Sequence, residues 1–266
     1  MYSDTVPAPV PSTPAGEWLP ELDIAPPGQQ RRLTVLLRLL LLIPQFIVLA
    51  VLGIVTFVVA VIGWFAALFM GRLPDWAAAY LTGYLGYWTR VSASEWLLVD
   101  RYPPFRFDAP GYPVRVEVRP GHLNRLAVLL RIFLSIPAAI IAALISGGWA
   151  VASFVIWLIV LIMGRMPEPL YESTAAILRY GMRFQAYWLL LSSAYPKRLF
   201  GDGPLDEYRA GGIARASGTR PLLMTGAGRM LLVVFIVLGV LYAAFGGSSA
   251  TWTSNDQTHT SIGTSP

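Results

Sequence analysis

Residues 33–74 read LTVLLRLLLLIPQFIVLAVLGIVTFVVAVIGWFAALFMGRLP. From Leu33 to Met70 this stretch holds one charge, Arg38. Ninety-three positions on, residues 126–167 read LAVLLRIFLSIPAAIIAALISGGWAVASFVIWLIVLIMGRMP, again with one charge, Arg131, before the closing Gly-Arg-x-Pro. About 20 apolar residues in a helix cross the hydrocarbon core of a bilayer, so each run exceeds a single perpendicular crossing. The chain therefore reads as an all-α integral membrane protein built by tandem direct repeat.

Side chains that apolar composition alone would not match confirm the period. At an offset of 93, Arg32, Arg38, Pro44, Trp64, Gly71, Arg72, Pro74 and Arg90 meet Arg125, Arg131, Pro137, Trp157, Gly164, Arg165, Pro167 and Arg183. Tyr102-Pro103 meets Tyr195-Pro196, Trp96 aligns with Trp188 after a local slip, and Leu22-Asp23-Ile24 answers Val116-Glu117-Val118. Composition agrees: the chain is 55% hydrophobic and 13% charged, with a mean hydropathy of +0.57. Soluble domains carry about 25% charged residues. There is no cysteine, which excludes a disulfide framework and thiolate chemistry. The net charge of +5 fits loops facing anionic lipid rather than nucleic acid.

The domain reading follows the repeat. Residues 1–30 are Pro-rich, carry no base before Arg31, and are expected to form a disordered cytoplasmic tail rather than a secretory signal. Membrane repeat 1 covers 31–108, a short β-like linker 109–123, and membrane repeat 2 covers 124–200. A basic connector over 201–229 leads to a C-terminal transmembrane helix over 230–246 and a Ser/Thr-rich tail over 247–266. Pro44 is expected to break the first run into an interfacial segment, Leu33 to Ile43, and a tilted span from about Gln45. The segments 75–99 and 168–192 are long enough to cross, yet Arg90, Glu95, Arg179 and Arg183 also suit an amphipathic helix in the interface. A direct repeat is expected to enter the membrane in the same direction twice, which needs two crossings per copy. Ala79 and Gly83, four apart, would then face the first span. With the N-terminus inside, thirteen basic side chains face the cytoplasm and only Arg72 and Arg165 lie outside. Val114, Val116 and Val118 alternate with charged residues, a strand pattern with Phe105-Arg106-Phe107 and Leu22-Asp23-Ile24 as expected partners.

The chain resembles the bacterial membrane-protein family called domain of unknown function 4389. The resemblance rests on Arg-Leu-x-Val-Leu-Leu-Arg at 32–38 and 125–131, Ile-Pro at 43–44 and 136–137, and Trp64 with Gly71-Arg72-x-Pro74. Asp100 to Phe105 and Tyr112 to Val118 look like further signatures, and two family-like units span roughly residues 16 to 203. The second copy departs at its close, with Ser193-Ala194-Tyr195-Pro196-Lys197 where the first has Asp100 to Pro104. The resemblance implies a bacterial inner-membrane location and supplies no reaction.

Chemistry is sparse. The two histidines, His122 and His259, lie in a loop and a tail, which excludes a histidine metal cluster or base. No phosphate loop or nucleophile elbow is present, so neither an enzyme nor a cofactor is expected. Asp75 and Glu168 read as helix-starting acids. The sharper lead is four intramembrane arginines, Arg38, Arg90, Arg131 and Arg183, since ionisable side chains at depth face a bundle, a cavity or a head group. Two crossings per repeat would gather them near the cytoplasmic leaflet as an anionic-lipid or substrate-head-group site, with Glu95 the one acid at that depth. Snorkelling anchors are the blander reading. The expected function is a non-enzymatic scaffold whose partners are the lipid bilayer, anionic lipids, and a membrane protein or second copy. A small transporter or channel with a site between the two repeats is the alternative.

Overall fold

Each apolar run breaks once, close to its start. The computed structural model describes residues 19–201 and 219–246. The first run forms α1 (Arg32–Leu36) and α2 (Arg38–Met70). The hinge is Leu37 (φ −94°, ψ 8°), and Pro44 lies inside α2. Placing the break at Pro44 is therefore corrected. A proline inside a helix costs about 3 kcal/mol, whereas a buried guanidinium without partners costs several. The hinge turns Arg38 into the protein, where it finds partners.

α2 ends at Gly71, whose φ of +71° is the left-handed cap glycine reaches without strain. α3 (Asp75–Glu95) then folds back on α2, with Asp75 in its first turn. It closes through Leu97 (φ +60°), where the Leu98 N–H reaches the Ala93 carbonyl at 2.9 Å. A left-handed leucine costs about 1–2 kcal/mol; burial of its side chain offsets this.

The second copy repeats the design. It comprises α4 (Arg125–Leu129), the hinge Leu130, α5 (Arg131–Met163), the cap Gly164, and α6 (Glu168–Trp188), closing through Leu190 (φ +63°). The last helix, α7 (Gly226–Gly246), begins four residues before the expected boundary. The Thr225 hydroxyl accepts the Gly228 N–H at 3.2 Å and donates to Glu172 of α6 at 2.7 Å.

Among the described residues, α2, α5 and α7 are long and apolar enough to cross a membrane. α3 and α6 are not, so two membrane helices per repeat is not what their composition supports. Arg90, Glu172, Arg179 and Arg183 on these helices are buried in protein instead. Ala79 is exposed, and a β-carbon on Gly83 would meet the Phe107 ring at 2.8 Å. Neither residue faces α2, because the loop after α3 supplies the ring that needs a glycine beneath it.

β1 (Glu21–Ile24) and β2 (Val114–Glu117) pair antiparallel, with Leu22 opposite Val116. Part of the expected disordered tail is thus a strand. Phe105-Arg106-Phe107 does not join the sheet. The Arg90 guanidinium donates to the Arg106 and Phe107 carbonyls at 2.6 and 2.9 Å, which diverts the backbone a ladder would use. The sequence-based readings over 1–18, 202–218 and 247–266 lie outside the described residues.

The copies meet head to tail. The Gln30 N–H donates to the Gly164 carbonyl at 2.7 Å, and the Leu123 N–H donates to the Gly71 carbonyl at 2.8 Å. α1 packs on α5, α4 packs on α2, and α3 touches α6, while α2 and α5 do not pack together. Each long helix starts beside the end of the other, so α2 and α5 run in opposite directions. The expectation that both copies point the same way is corrected. The cause is local: a helix C-terminus leaves carbonyls without intrahelical partners, and each is filled by the entry segment of the other copy.

Candidate functional site: two unequal cavities between the repeats

The head-to-tail junctions border two open cavities that correspond through the repeat. The first, about 540 Å³, is lined by Arg38, Leu39, Glu95, Trp149, Phe154 and Trp157. The second, about 290 Å³, is lined by Phe57, Val61, Trp64, Arg131, Ile132 and Trp188. Arg38 answers Arg131, Leu39 answers Ile132, and Trp157 answers Trp64, while Trp188 stands where Glu95 stands. The expected slip that pairs Trp96 with Trp188 is corrected, because α3 and α6 have equal length and the left-handed Leu97 and Leu190 keep the offset of 93. In each cavity an indole N–H binds the carbonyl beside the opposite hinge: Trp157 to Val35 at 2.9 Å and Trp64 to Val128 at 3.1 Å.

The two arginines begin alike and end differently. Arg38 is 4% exposed and donates to Ser94 Oγ (2.9 Å), the Val99 carbonyl (2.8 Å), Gln30 Oε1 (3.1 Å) and Asp100 Oδ1 (3.1 Å). The last of these is an ion pair. Arg131 is equally buried, but donates one bond, to the Ser192 carbonyl at 2.6 Å, and lies 4.1 Å over the Tyr187 ring. Its Nε and Nη1 have no hydrogen-bond partner. The cause is legible at position 193, a serine where the first copy has Asp100. A cation over an aromatic face recovers roughly 0.5–2 kcal/mol, less than a desolvated charge loses.

The other two arginines hold chain rather than line a cavity. Arg90 clamps the Arg106 and Phe107 carbonyls. Arg183 donates to the carbonyls of Pro20 (3.0 Å) and Lys197 (3.0 Å), and the neighbouring Arg179 donates to that of Leu22 (2.8 Å). The four guanidiniums are therefore not one cluster: Arg38 and Arg131 border separate cavities, and Arg90 and Arg183 pin segments onto α3 and α6. Glu95 pairs with none of them; among the described residues it has no hydrogen bond or ion pair, and burial pushes its carboxyl up.

Sequence reasoning missed Asp100 as the Arg38 counter-ion, and Gln30 and Ser94 as its further acceptors. The loss of the acidic turn in the second copy was the available signal. Burial also pushes the Tyr112 phenol up to about 12, so it stays a neutral donor to the Arg101 carbonyl at 2.7 Å. Among the described residues no group of His, Asp and Glu suits a metal ion.

Fold and cavities define an internally duplicated helical protein of membrane-protein type, with lipid-compatible helices around an interior pinned by buried arginines. The chain belongs to the family of the domain of unknown function DUF4389, whose model matches residues 32–106 and again 125–199. No curated protein and no solved structure matches the chain.

Proposed function

We propose that this protein is a non-enzymatic membrane scaffold that holds an anionic lipid head group against Arg131. One observation carries the reading: a buried guanidinium beside an apolar cavity, with both Nε and Nη1 unpartnered where its twin lacks a partner at Nε alone, and no acid where its twin has one. A phosphate oxygen supplies both the charge and the acceptors that Asp100 supplies to Arg38. Exposed apolar side chains along α5, including Ile132, Phe133 and Ile136, give an acyl chain a surface beside that cavity.

The transporter alternative draws on the cavities lying between the repeats. The two share no lining residue, however, and each is bounded by its own arginine. That arrangement favours two separate binding sites over a path.

The test is native mass spectrometry of the full chain purified with its lipids. A basic group near a membrane surface contributes about 1 kcal/mol to anionic-lipid binding, about fivefold in affinity. Arg131→Gln is expected to lower the ratio of co-purifying anionic lipid by at least that factor, while Arg72→Gln, at an exposed site, leaves it unchanged. A wild-type ratio in Arg131→Gln overturns the assignment.

A further inference from the structure

The path of the chain between the repeats bears on how the protein meets the bilayer. After α3, Asp100 sits against Arg38 at the start of α2. By Leu123 the chain has reached Gly71, at the end of α2. The linker therefore travels back along the whole α2–α3 hairpin on its outer side, with the Pro103 carbonyl on Gln45, Phe107 on Tyr80 and Gly83, and β2 on α3. α3 has 21 residues, about 31 Å at about 1.5 Å per residue, which is the thickness of a bilayer core.

This linker is largely irregular, and Arg101, Arg106, Asp108, Arg115 and Arg119 on it are exposed. Lipid-exposed irregular backbone does not occur within the hydrocarbon region, and charged side chains there are costly. If α2 and α3 crossed the bilayer, the linker would have to cross with them, its charges in lipid. The second copy poses the same problem: residues 20 to 30 follow α6 from Arg183, past Arg179 and Tyr171, to Gly164.

The reciprocal junctions Gln30–Gly164 and Leu123–Gly71, with repeat-related strands paired antiparallel, relate the two copies by an approximate twofold axis. It passes between β1 and β2, where Leu22 faces Val116, one of the repeat-related pairs. An axis in the membrane plane would put Asp23 and Arg115 at mid-bilayer. An axis along the membrane normal puts both strands in water and gives α2 and α5 equal depth.

We infer that the protein embeds in one leaflet, with α2 and α5 lying along the bilayer as an apolar floor. The Trp- and Tyr-rich α3 and its partner α6 sit at head-group level, and the linker and sheet face water. The occupant of the exposed apolar faces of α2 and α5 is thus the acyl layer of a single leaflet. The exposed side chains support it: Leu40, Ile47, Ile54, Phe57 and Phe69 face outward on α2, while α3 takes the buried side.

The absence of cysteine allows a direct test. Arg72→Cys, Asp108→Cys and Arg165→Cys each replace an exposed side chain. Each full-length variant, expressed in a bacterial inner membrane, is treated with a membrane-impermeant maleimide on intact spheroplasts and after lysis. Folding is checked by comparing thermal unfolding with the parent, and Arg119→Cys, also exposed, replaces Asp108→Cys if that variant unfolds early. Embedding in one leaflet makes all positions label under the same condition, after lysis alone for the cytoplasmic leaflet. Arg72→Cys labelling from the side opposite Asp108→Cys overturns the inference, as does a position that labels in neither state. The lipid ratio that tests Arg131 is read independently, so failure of one reading leaves the other standing.

Discussion

Asp100 lies 3.1 Å from Arg38, and its counterpart beside Arg131 is Ser193. One substitution between two copies of a repeat thus separates a guanidinium neutralised within the fold from one that is not. The physical consequence is asymmetric: removing one partner of a buried pair strands a charge, whereas replacing an already stranded charge relieves one.

That asymmetry predicts opposite stability effects. Asp100→Asn should cost about 3 kcal/mol, at the low end for a buried pair because Asp100 is partly exposed. Arg131→Met, which keeps the bulk of the side chain, should leave stability in lipid-free detergent unchanged or raised. Thermal unfolding of both variants in the same detergent checks this; equal losses would mean that Arg131 has an internal partner.

Glu95 predicts a pH dependence. Burial raises its folded-state pKa above the ordinary value of 4.5, so the folded state holds this proton more tightly than the unfolded state does. The unfavourable charged form then makes stability fall as pH rises from the unfolded value through the folded one. Glu95→Gln should match the parent below pH about 4 and exceed it at neutral pH. Unfolding midpoints across that range decide it, and a variant less stable than the parent at neutral pH would point to a favourable partner for the carboxylate.

The reciprocal indole bonds should be separable. Trp64→Phe and Trp157→Phe each remove one donor to a hinge carbonyl, which should cost about 1 kcal/mol apiece. The indoles sit at opposite junctions, so the double variant should lose roughly the sum. A double-mutant cycle with a large coupling energy would show that the two hinges move together.

Packing of α7 gives a fourth prediction. A β-carbon on Gly148 would overlap the Phe235 backbone of α7, and one on Gly239 would overlap the Leu144 backbone of α5. Neither backbone can yield as a side chain would. Gly148→Leu should therefore part α5 from α7, cost about 1–3 kcal/mol or more, and loosen the Thr225 contact with Glu172 so that residues 219–225 are cut more readily by protease. Gly83→Ala, where only the Phe107 ring must move, should cost less. Limited proteolysis with thermal unfolding compares them.

Much of this was legible from residue order alone. The repeat, the apolar helices, the Gly-Arg-x-Pro closures at Gly71 and Gly164, the helix-starting acids Asp75 and Glu168, and the pairing of Leu22-Asp23-Ile24 with the Val-rich strand all follow from local pattern. Local physics sets them: burial of apolar side chains, left-handed caps, dipole-complementing acids, and a period that no chance match reproduces. Hydropathy says that a segment avoids water, but carries no information on direction. Two similar apolar runs are therefore compatible with a parallel or an antiparallel course, and the expectation of a common direction has no side chain in the runs behind it.

Tertiary structure decided what depended on distant partners. Arg90 and Arg183 look like membrane arginines in sequence, yet they hold carbonyls of segments up to 163 positions away. Glu95 sits five positions from Arg90 and pairs with nothing, because the helix turns it into a cavity while Arg90 faces the linker. The hinge moved from Pro44 to Leu37 because partners for Arg38, rather than the proline ring, govern the larger energy. Sequence determined which segments are apolar and where they are capped. The antiparallel course of α2 and α5 was settled by hydrogen bonds between one copy's entry segment and the other's helix end, since the carbonyls left free at a helix C-terminus accept from whichever N–H the complete fold brings to them.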